Sequence, residues 1–275
     1  MSNDHTQQEG RVAIITGASG GIGEATALAL ARAGYRVFGT CRKPPPSKSA
    51  GVEYLVCDVT SDASVEAAFS EVLAKAGRID LLVNNAGVGL MGGAEESSLE
   101  QAKSLFDVNV FGVMRTTKAV LPVMRRQGRG RIVNISSVMG LIPAPYMALY
   151  ASSKHAVEGY SESLDHEIRD AGVRVVLVEP AYTRTSFESN LIQADQPLDN
   201  YRSARSNAEA VMRDVMKNAD SPESVAQTVL KACTAANPRR RYAAGGFARQ
   251  VSLLRRFVPA SAFDKSLRKQ LRMPA

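Results

Sequence analysis

The chain has 275 residues, 45% of them hydrophobic and 22% charged, with only three cysteines. A chain of this length buries roughly 75% of the surface its unfolded form exposes, enough for one well-cored domain, and the composition excludes disordered, collagenous and disulfide-stapled classes. The net charge of +7 is concentrated: residues 238–275 hold ten Lys and Arg against the single acid Asp264, so the body is nearly neutral and no nucleic-acid partner is expected.

Residues 1–9 are polar with no apolar core, which predicts neither a signal peptide nor a membrane span. Cys41, Cys57 and Cys233 show neither disulfide nor metal-ligand spacing, so a reducing, cytoplasmic setting is expected. Residues 12–16 form an apolar run that leads into Thr16-Gly17-Ala18-Ser19-Gly20-Gly21-Ile22-Gly23 and then an Ala-rich stretch to Ala33, with Gly34 as its stop. This reads as strand, tight turn and helix: glycines admit positive φ and bring backbone N–H groups against a pyrophosphate, and the helix N-terminus adds partial positive charge. The spacing is not Gly-x-Gly-x-x-Gly, so the loop alone is a weak signal, compatible with a turn needed only for close packing. Further strands are predicted at residues 36–40, 52–57, 81–84, 131–135 and 173–178, alternating with helix-like segments. That alternation predicts an α/β fold: a single doubly wound Rossmann-type domain over residues 1–275, its mostly parallel sheet flanked by helices on both faces.

Ser137 follows the apolar run 132–135, which delivers it to the carboxyl edge of the sheet, where open α/β sheets bind ligands. Tyr150 and Lys154 stand four apart, on one face of a helix. A phenol titrates near pH ~10, and an ammonium beside it is expected to lower that value towards the range of a general acid and base. His5, His155 and His166 have no ligand spacing with Cys or acidic residues, and no metal site is predicted.

Taken together these motifs resemble the classical short-chain dehydrogenase/reductase family over nearly the whole chain. Thr16-Gly17-x-x-x-Gly21-x-Gly23 is similar to its cofactor loop, Asp58-Val59 to its adenine contact, and Asn84-Asn85-Ala86-Gly87 to its central strand-end motif, followed in order by Asn109, Ser137, Tyr150 and Lys154. The resemblance implies a seventh strand near residues 241–244 and a catalytic set of Asn109, Ser137, Tyr150 and Lys154. It implies cofactor contacts from Gly17, Ser19, Gly21, Ile22, Gly23, Asp58, Val59, Asn85, Ala86, Gly87, Tyr150, Lys154, Pro180, Thr183 and Thr185. In the implied mechanism nicotinamide exchanges a hydride with a carbonyl carbon, Ser137 binds the oxygen, Tyr150 protonates it, Lys154 tunes the phenol and holds ribose, and Asn109 holds a water leading to solvent. Homodimers or homotetramers are implied as well. Ala181 stands where the family usually has Gly, and the small side chain is expected to leave that loop intact.

After the second predicted strand come Cys41-Arg42-Lys43, with no carboxylate for an adenosine 2′-hydroxyl; Arg42 and Lys43 suit a 2′-phosphate instead, which favours NADP(H) over NAD(H). Met139, Leu141, Ile142, Pro143 and Met147, with Phe187, Leu191, Ile192, Leu198, Tyr201 and Met212 of a variable lid at residues 186–219, predict an apolar pocket. Ser137, Met139, Tyr150 and Phe187 are its expected substrate contacts, and the similarity to hydroxysteroid- and retinol-type members implies a lipophilic ketone or secondary alcohol. The basic tail, residues 247–275, carries Phe247, Val251, Leu254 and Val258, then Phe263, Leu267 and Leu271, at helical spacing on either side of Pro259. Such segments suit a packed helix with a solvated basic face, a docked lid or weak peripheral contact with an anionic membrane. A cofactor-sensing regulator and a membrane-associated scaffold remain open beside the enzyme; the intact set at 109, 137, 150 and 154 argues for turnover.

Overall fold

A computed structural model of the chain describes residues 10–45 and 49–270; residues 1–9 with His5, Pro46, and Leu271 and Arg272 of the tail lie outside the described residues. The strands β1 (Val12–Thr16), β2 (Arg36–Cys41), β3 (Val52–Val56) and β4 (Leu81–Asn84) fall where the apolar runs predict them. Between them lie α1 (Gly21–Arg32) and α2 (Asp62–Ala76); the latter begins at Ser61, whose hydroxyl accepts from the Ser64 N–H, a cap that contributes about 1 kcal/mol. After β4 comes a two-residue strand, β5 (Leu90–Met91), then α3 (Leu99–Phe106), a π-helical turn over Asp107–Phe111, and α4 (Gly112–Gln127).

The second half contributes β6 (Gly130–Ile135), α5 (Ala148–Ile168), β7 (Val173–Pro180), the short β8 (Ile192–Gln193), α6 (Arg202–Met216), α7 (Pro222–Thr234), β9 (Arg241–Ala244), α8 (Gly246–Phe257) and α9 (Ala260–Gln270). Seven strands form one sheet in the order β3-β2-β1-β4-β6-β7-β9, every neighbouring pair parallel, so the mostly parallel sheet expected is wholly parallel. Strand order reverses between β1 and β4, and that crevice at the carboxyl edge is where such sheets receive ligands.

Both faces of the sheet are covered, which explains why its strands are apolar on consecutive residues rather than alternate ones. Ala13 and Ile15 pack with Leu30 of α1 and Val225 and Val229 of α7, whereas Val12 and Ile14 pack with Val65 and Val72 of α2, Val120 of α4 and Leu164 of α5. The small β5–β8 pair is a separate parallel ladder that ties the segment after β7 to the segment after β4. Buried Glu96 reinforces that tie: it accepts from the Gly93 and Leu198 N–H groups and pairs with Arg205.

Candidate functional site

The glycine loop between β1 and α1 is held from behind rather than by its own side chains. Thr16 Oγ1 accepts from the backbone N–H of Asn85 and of Ala86, both at 3.0 Å, while the Asn85 amide donates to the carbonyls of Thr16 and Gly17 at 3.0 and 3.1 Å. Asn85 is therefore an organiser of the loop, a side-chain role the sequence did not reveal. Gly17 and Gly21 have φ of +65° and +57°, and a Cβ on Gly23 would lie 2.2 Å from the Gly17 carbonyl oxygen, so both backbone shape and space demand glycine here. Gly20 provides no side-chain cap to α1, which leaves the first-turn N–H groups of Gly21, Ile22 and Gly23 directed at the crevice. Unanswered donors on a helix N-terminus fit a dinucleotide pyrophosphate.

The other expected cofactor residues follow the carboxyl ends of β2, β3 and β7 in the same sheet. Ser19 is exposed at the tip of the glycine loop, Arg42 and Lys43 are exposed just past the end of β2, and Thr185 closes from above, 3.1 Å from where a Gly21 Cβ would be. Asp58 spends one carboxylate oxygen on Thr60, whose N–H and hydroxyl donate at 2.9 and 2.8 Å; these bonds hold its carboxyl below the usual range, with Arg42 and Arg115 adding to the effect. Val59 is buried beneath α4 against Gly112. The loop after Pro180, with Ala181 in place, is stapled by the Asp220 N–H to the Tyr182 carbonyl at 3.0 Å and the Arg184 N–H to the Asp220 carbonyl at 2.9 Å, and Thr183 forms a bridge to Asp220.

Ser137, Tyr150 and Lys154 come together at the carboxyl end of β6, all three buried. Ser137 leaves β6 in extended conformation, and its hydroxyl accepts from the Met139 N–H at 3.2 Å. Lys154 Nζ donates to the Ile135 carbonyl at 2.9 Å and lies 5.6 Å from the centre of the Tyr150 ring; Gly87 leaves the approach to it open. Asn109 sits in the π-turn, where its amide bonds both the N–H and the carbonyl of Val88 at 2.9 Å and donates to Ser153 Oγ at 3.1 Å. Both of its side-chain donors are thereby committed to joining the 85–88 segment to α5. Ser153, which also donates to the Tyr150 carbonyl at 2.7 Å, was not singled out in the sequence.

The electrostatics depart from the simple expectation for a Tyr–Lys pair. Burial pushes the Tyr150 phenol up to about 12, opposed by the Ser137 hydrogen bond rather than chiefly by Lys154, and burial lowers the Lys154 ammonium to about 8, opposed by nearby Glu158. In a site removed from water the charged form of each group is penalised, so two proton affinities that are nearly equal in the free side chains are driven apart in opposite directions.

Behind Lys154 lies a cluster that the motifs did not disclose. Arg241 of β9 reaches Glu158 at 3.1 Å, Glu162 at 3.1 Å and Glu179 at 3.5 Å, and Glu158 and Glu179 are almost wholly buried. One guanidinium cannot compensate three carboxylates, so burial with mutual repulsion raises Glu158 and pushes Glu179 up to about 7. The available signal was Glu158 four residues after Lys154, one helical turn along the same face.

In front of Tyr150 the walls are apolar. Met147, Met91 and Ala208 are buried around it with Met139, Leu191 and Met212 packed against them, and the Phe187 ring lies 5.6 Å from the Tyr150 ring. The predicted pocket residues divide: Met139, Met147, Phe187, Leu191 and Met212 gather here, Ile142 packs instead towards α8, and Ile192 and Leu198 are exposed because β8 and the chain after it run along the surface.

A family profile described as short chain dehydrogenase matches residues 11–196. The chain is 44% identical over 181 residues to a 3-ketodihydrosphingosine reductase of Bacteroides thetaiotaomicron, a match spanning 66% of each chain. It is 36% identical to the uncharacterized oxidoreductase YbbO of Escherichia coli over 92% of this chain and 93% of that one, and 38% identical to retinol dehydrogenase 8 of Bos taurus over 84% and 81%. Among solved structures, a short-chain dehydrogenase/reductase of Burkholderia phymatum in complex with NAD superposes with TM-score 0.76 at 29% identity, covering 97% of this chain and 96% of that one. One of Burkholderia cenocepacia in complex with NADP gives TM-score 0.74 at 26% identity, with 97% and 99% covered.

Proposed function

Because the chain belongs to the short-chain dehydrogenase family, and is an oxidoreductase acting on CH–OH groups with NAD(P), we propose that it works with NADP(H) on a lipophilic ketone or secondary alcohol, with Tyr150 as general acid and base. The observation that carries this reading is the meeting of Ser137, Tyr150 and Lys154 beside an apolar cluster of Met147, Leu191 and Met212 with the Phe187 ring against Tyr150.

Gly21, Ile22 and Gly23 would hold the pyrophosphate, Arg42 and Lys43 the adenosine phosphate, and Lys154 the ribose. The bound dinucleotide supplies or accepts the hydride at the substrate carbon. Ser137 donates a hydrogen bond to the substrate oxygen, which fixes the carbon for attack. Tyr150 passes its proton to that oxygen as negative charge develops there, and takes it back when an alcohol is oxidised. Lys154, an ammonium with its titration lowered to about 8, stabilises the phenolate left behind. Asn109 and Ser153 keep the 85–88 segment and α5 in register around the pair. Phe187 covers Tyr150 from the substrate side and excludes water from the proton transfer.

NADP(H) preference is supported by two exposed cations, Arg42 and Lys43, directly after β2, where the sequence places no carboxylate, since a charge-assisted phosphate contact contributes roughly 1.5–3 kcal/mol. Three buried thiols without a disulfide support a reducing, cytoplasmic setting, and Leu99 and Phe111, exposed at the starts of α3 and α4, support assembly as a homodimer or homotetramer. The test is a panel of ketones and secondary alcohols of graded chain length, followed by absorbance of the reduced nicotinamide with each cofactor. Turnover that rises with apolar chain length, and an NADPH preference of about 10-fold that Arg42→Ala removes, is the expected result. Tight cofactor binding with no turnover of any compound would favour a regulator instead.

A further inference from the structure

The helix after β9 is bound to the domain by one narrow side. Ala248 and Val251 are buried against Val138, Ile142, Ala181 and Ala243, and Arg255 Nε donates to the Leu141 carbonyl at 3.2 Å. On its free side Leu253, Leu254 and Phe257 are 60%, 49% and 73% exposed, and Phe247 is 44% exposed. Among the described residues these form the largest gathering of exposed apolar side chains within one element. Beside the stripe lies a cleft of about 440 Å³ lined by Leu141, Glu162, Arg240, Arg241, Ser252, Arg255 and Arg256. Arg241 is occupied by its three carboxylates, but Arg240 and Arg256 have no carboxylate partner among the described residues, nor do Arg249, Lys265 and Lys269. At 3.6 residues per turn Arg249 and Arg256 fall between the cleft and the apolar stripe, so the surface runs in order from cation-lined hollow to cationic rim to exposed Phe and Leu.

We infer that this face of α8 is a docking surface for an anionic lipid bilayer, with a headgroup phosphate in the arginine-lined cleft and the Leu253, Leu254 and Phe257 side chains among the acyl chains. No helix among the described residues is long and apolar enough to cross a membrane, so α8 lies on the surface rather than spanning it. The occupant follows from charge. Two copies of α8 meeting stripe to stripe would bring Arg249 and Arg256 against their own kind, because the helix contains no acidic residue at all. An anionic lipid meets both needs, charge at the rim and hydrocarbon at the stripe, and each cation near such a surface strengthens binding about fivefold. The helix is also chemically placed: its opposite, buried side packs on Val138 and Met139, directly after Ser137, so the element that meets the bilayer is the one that abuts the catalytic serine's loop. Membrane-partitioned substrates are then the class presented to Tyr150, a consequence that rests on the lipophilic reading above.

Vesicle co-sedimentation tests the surface without reference to turnover. Vesicles of phosphatidylcholine alone, and with a third phosphatidylglycerol, are mixed with the full chain at low and high salt. Binding to the anionic vesicles alone, lost at high salt, is expected; Arg249→Glu with Arg256→Glu, and separately Leu253→Ser with Phe257→Ser, each weaken it tenfold or more. Melting temperature and cofactor affinity, measured on the same variants, establish that they are folded. Inorganic phosphate at millimolar concentration is expected to compete only weakly, since it lacks the acyl chains. No binding to anionic vesicles, equal binding to neutral ones, or a self-association abolished by the same substitutions would overturn the inference. Failure here with retained turnover of apolar ketones leaves the catalytic reading standing, whereas vesicle binding without such turnover removes only the consequence for substrate.

Discussion

The cofactor side and the substrate side of the crevice are built on different principles. Around residues 16–23 and 84–87 the backbone is fixed from behind: Thr16 and Asn85 make four hydrogen bonds that join the loop to the strand end, and the space at Gly23 admits no side chain. The floor beneath Lys154 is equally determined, by carboxylates held on Arg241. Across the crevice, residues 186–201 carry short elements and exposed apolar side chains such as Phe187, Ile192 and Leu198, tied down at a few points through Glu96 and β5. On the proposed reading the difference separates two tasks: the rigidly bonded side holds the chemistry, and the loosely tied side selects what is reacted upon.

The strongest way to break that division is at Tyr150, where the two sides meet. Tyr150→Phe is expected to lower kcat on the order of 10²–10⁴-fold while leaving cofactor affinity within about twofold. Steady-state rates with cofactor titration check it; a variant within threefold of the parent would remove Tyr150 from the proton transfer.

The floor can be probed through pH. Burial and repulsion from Glu158 raise the folded-state titration of Glu179 to about 7 from the 4.5 of a free side chain, so ionisation opposes folding: the penalty is absent below the unfolded value, grows as pH rises through that window, and is complete above it. Glu179→Gln is therefore expected to stabilise the protein at pH 8 by on the order of 3 kcal/mol, and little at pH 5. Thermal melts at the two pH values decide; equal gains at both would show that packing, not charge, is responsible.

In the cradle, Gly23→Ala places a methyl 2.2 Å from the Gly17 oxygen. Such overpacking costs typically about 1–3 kcal/mol and must move the loop that receives the pyrophosphate, so cofactor affinity is expected to fall about tenfold or more. Titration of the cofactor alongside a melt separates a moved loop from an unfolded domain. On the opposite side, Phe187→Ala removes one wall of the apolar cleft. It is expected to raise KM for bulky apolar substrates about fivefold, with little change in kcat on small ones, in line with the loss of about 1 kcal/mol of apolar contact. A fall in kcat for every substrate would instead assign Phe187 to the proton transfer itself.

The amino-acid sequence by itself determined the strands, the glycine loop and the family. Six of the seven strands of the main sheet are legible as apolar runs, most nearly continuous in β1 and β4, where burial on both faces removes any need for polar alternation; Gly17 and Gly21 mark a backbone of positive φ, and Gly23 a close approach that admits no side chain. Tertiary structure decided what depends on residues distant in the chain. Two-residue strands carry no periodicity, so the β5–β8 ladder was invisible; the π-turn that commits Asn109 to Val88 and Ser153 leaves no mark in residue type. Arg241 meets Glu158, Glu162 and Glu179 only because β9 pairs with β7 beside α5. In the tail the spacing predicted one stripe through Phe247, Val251 and Leu254, yet only Val251 is buried, joined by Ala248. Helical spacing states which residues share a face; which part of that face meets the domain is settled by the shape of the surface on which the helix lands, and that information lies in Val138, Ile142 and Ala181, far away in sequence.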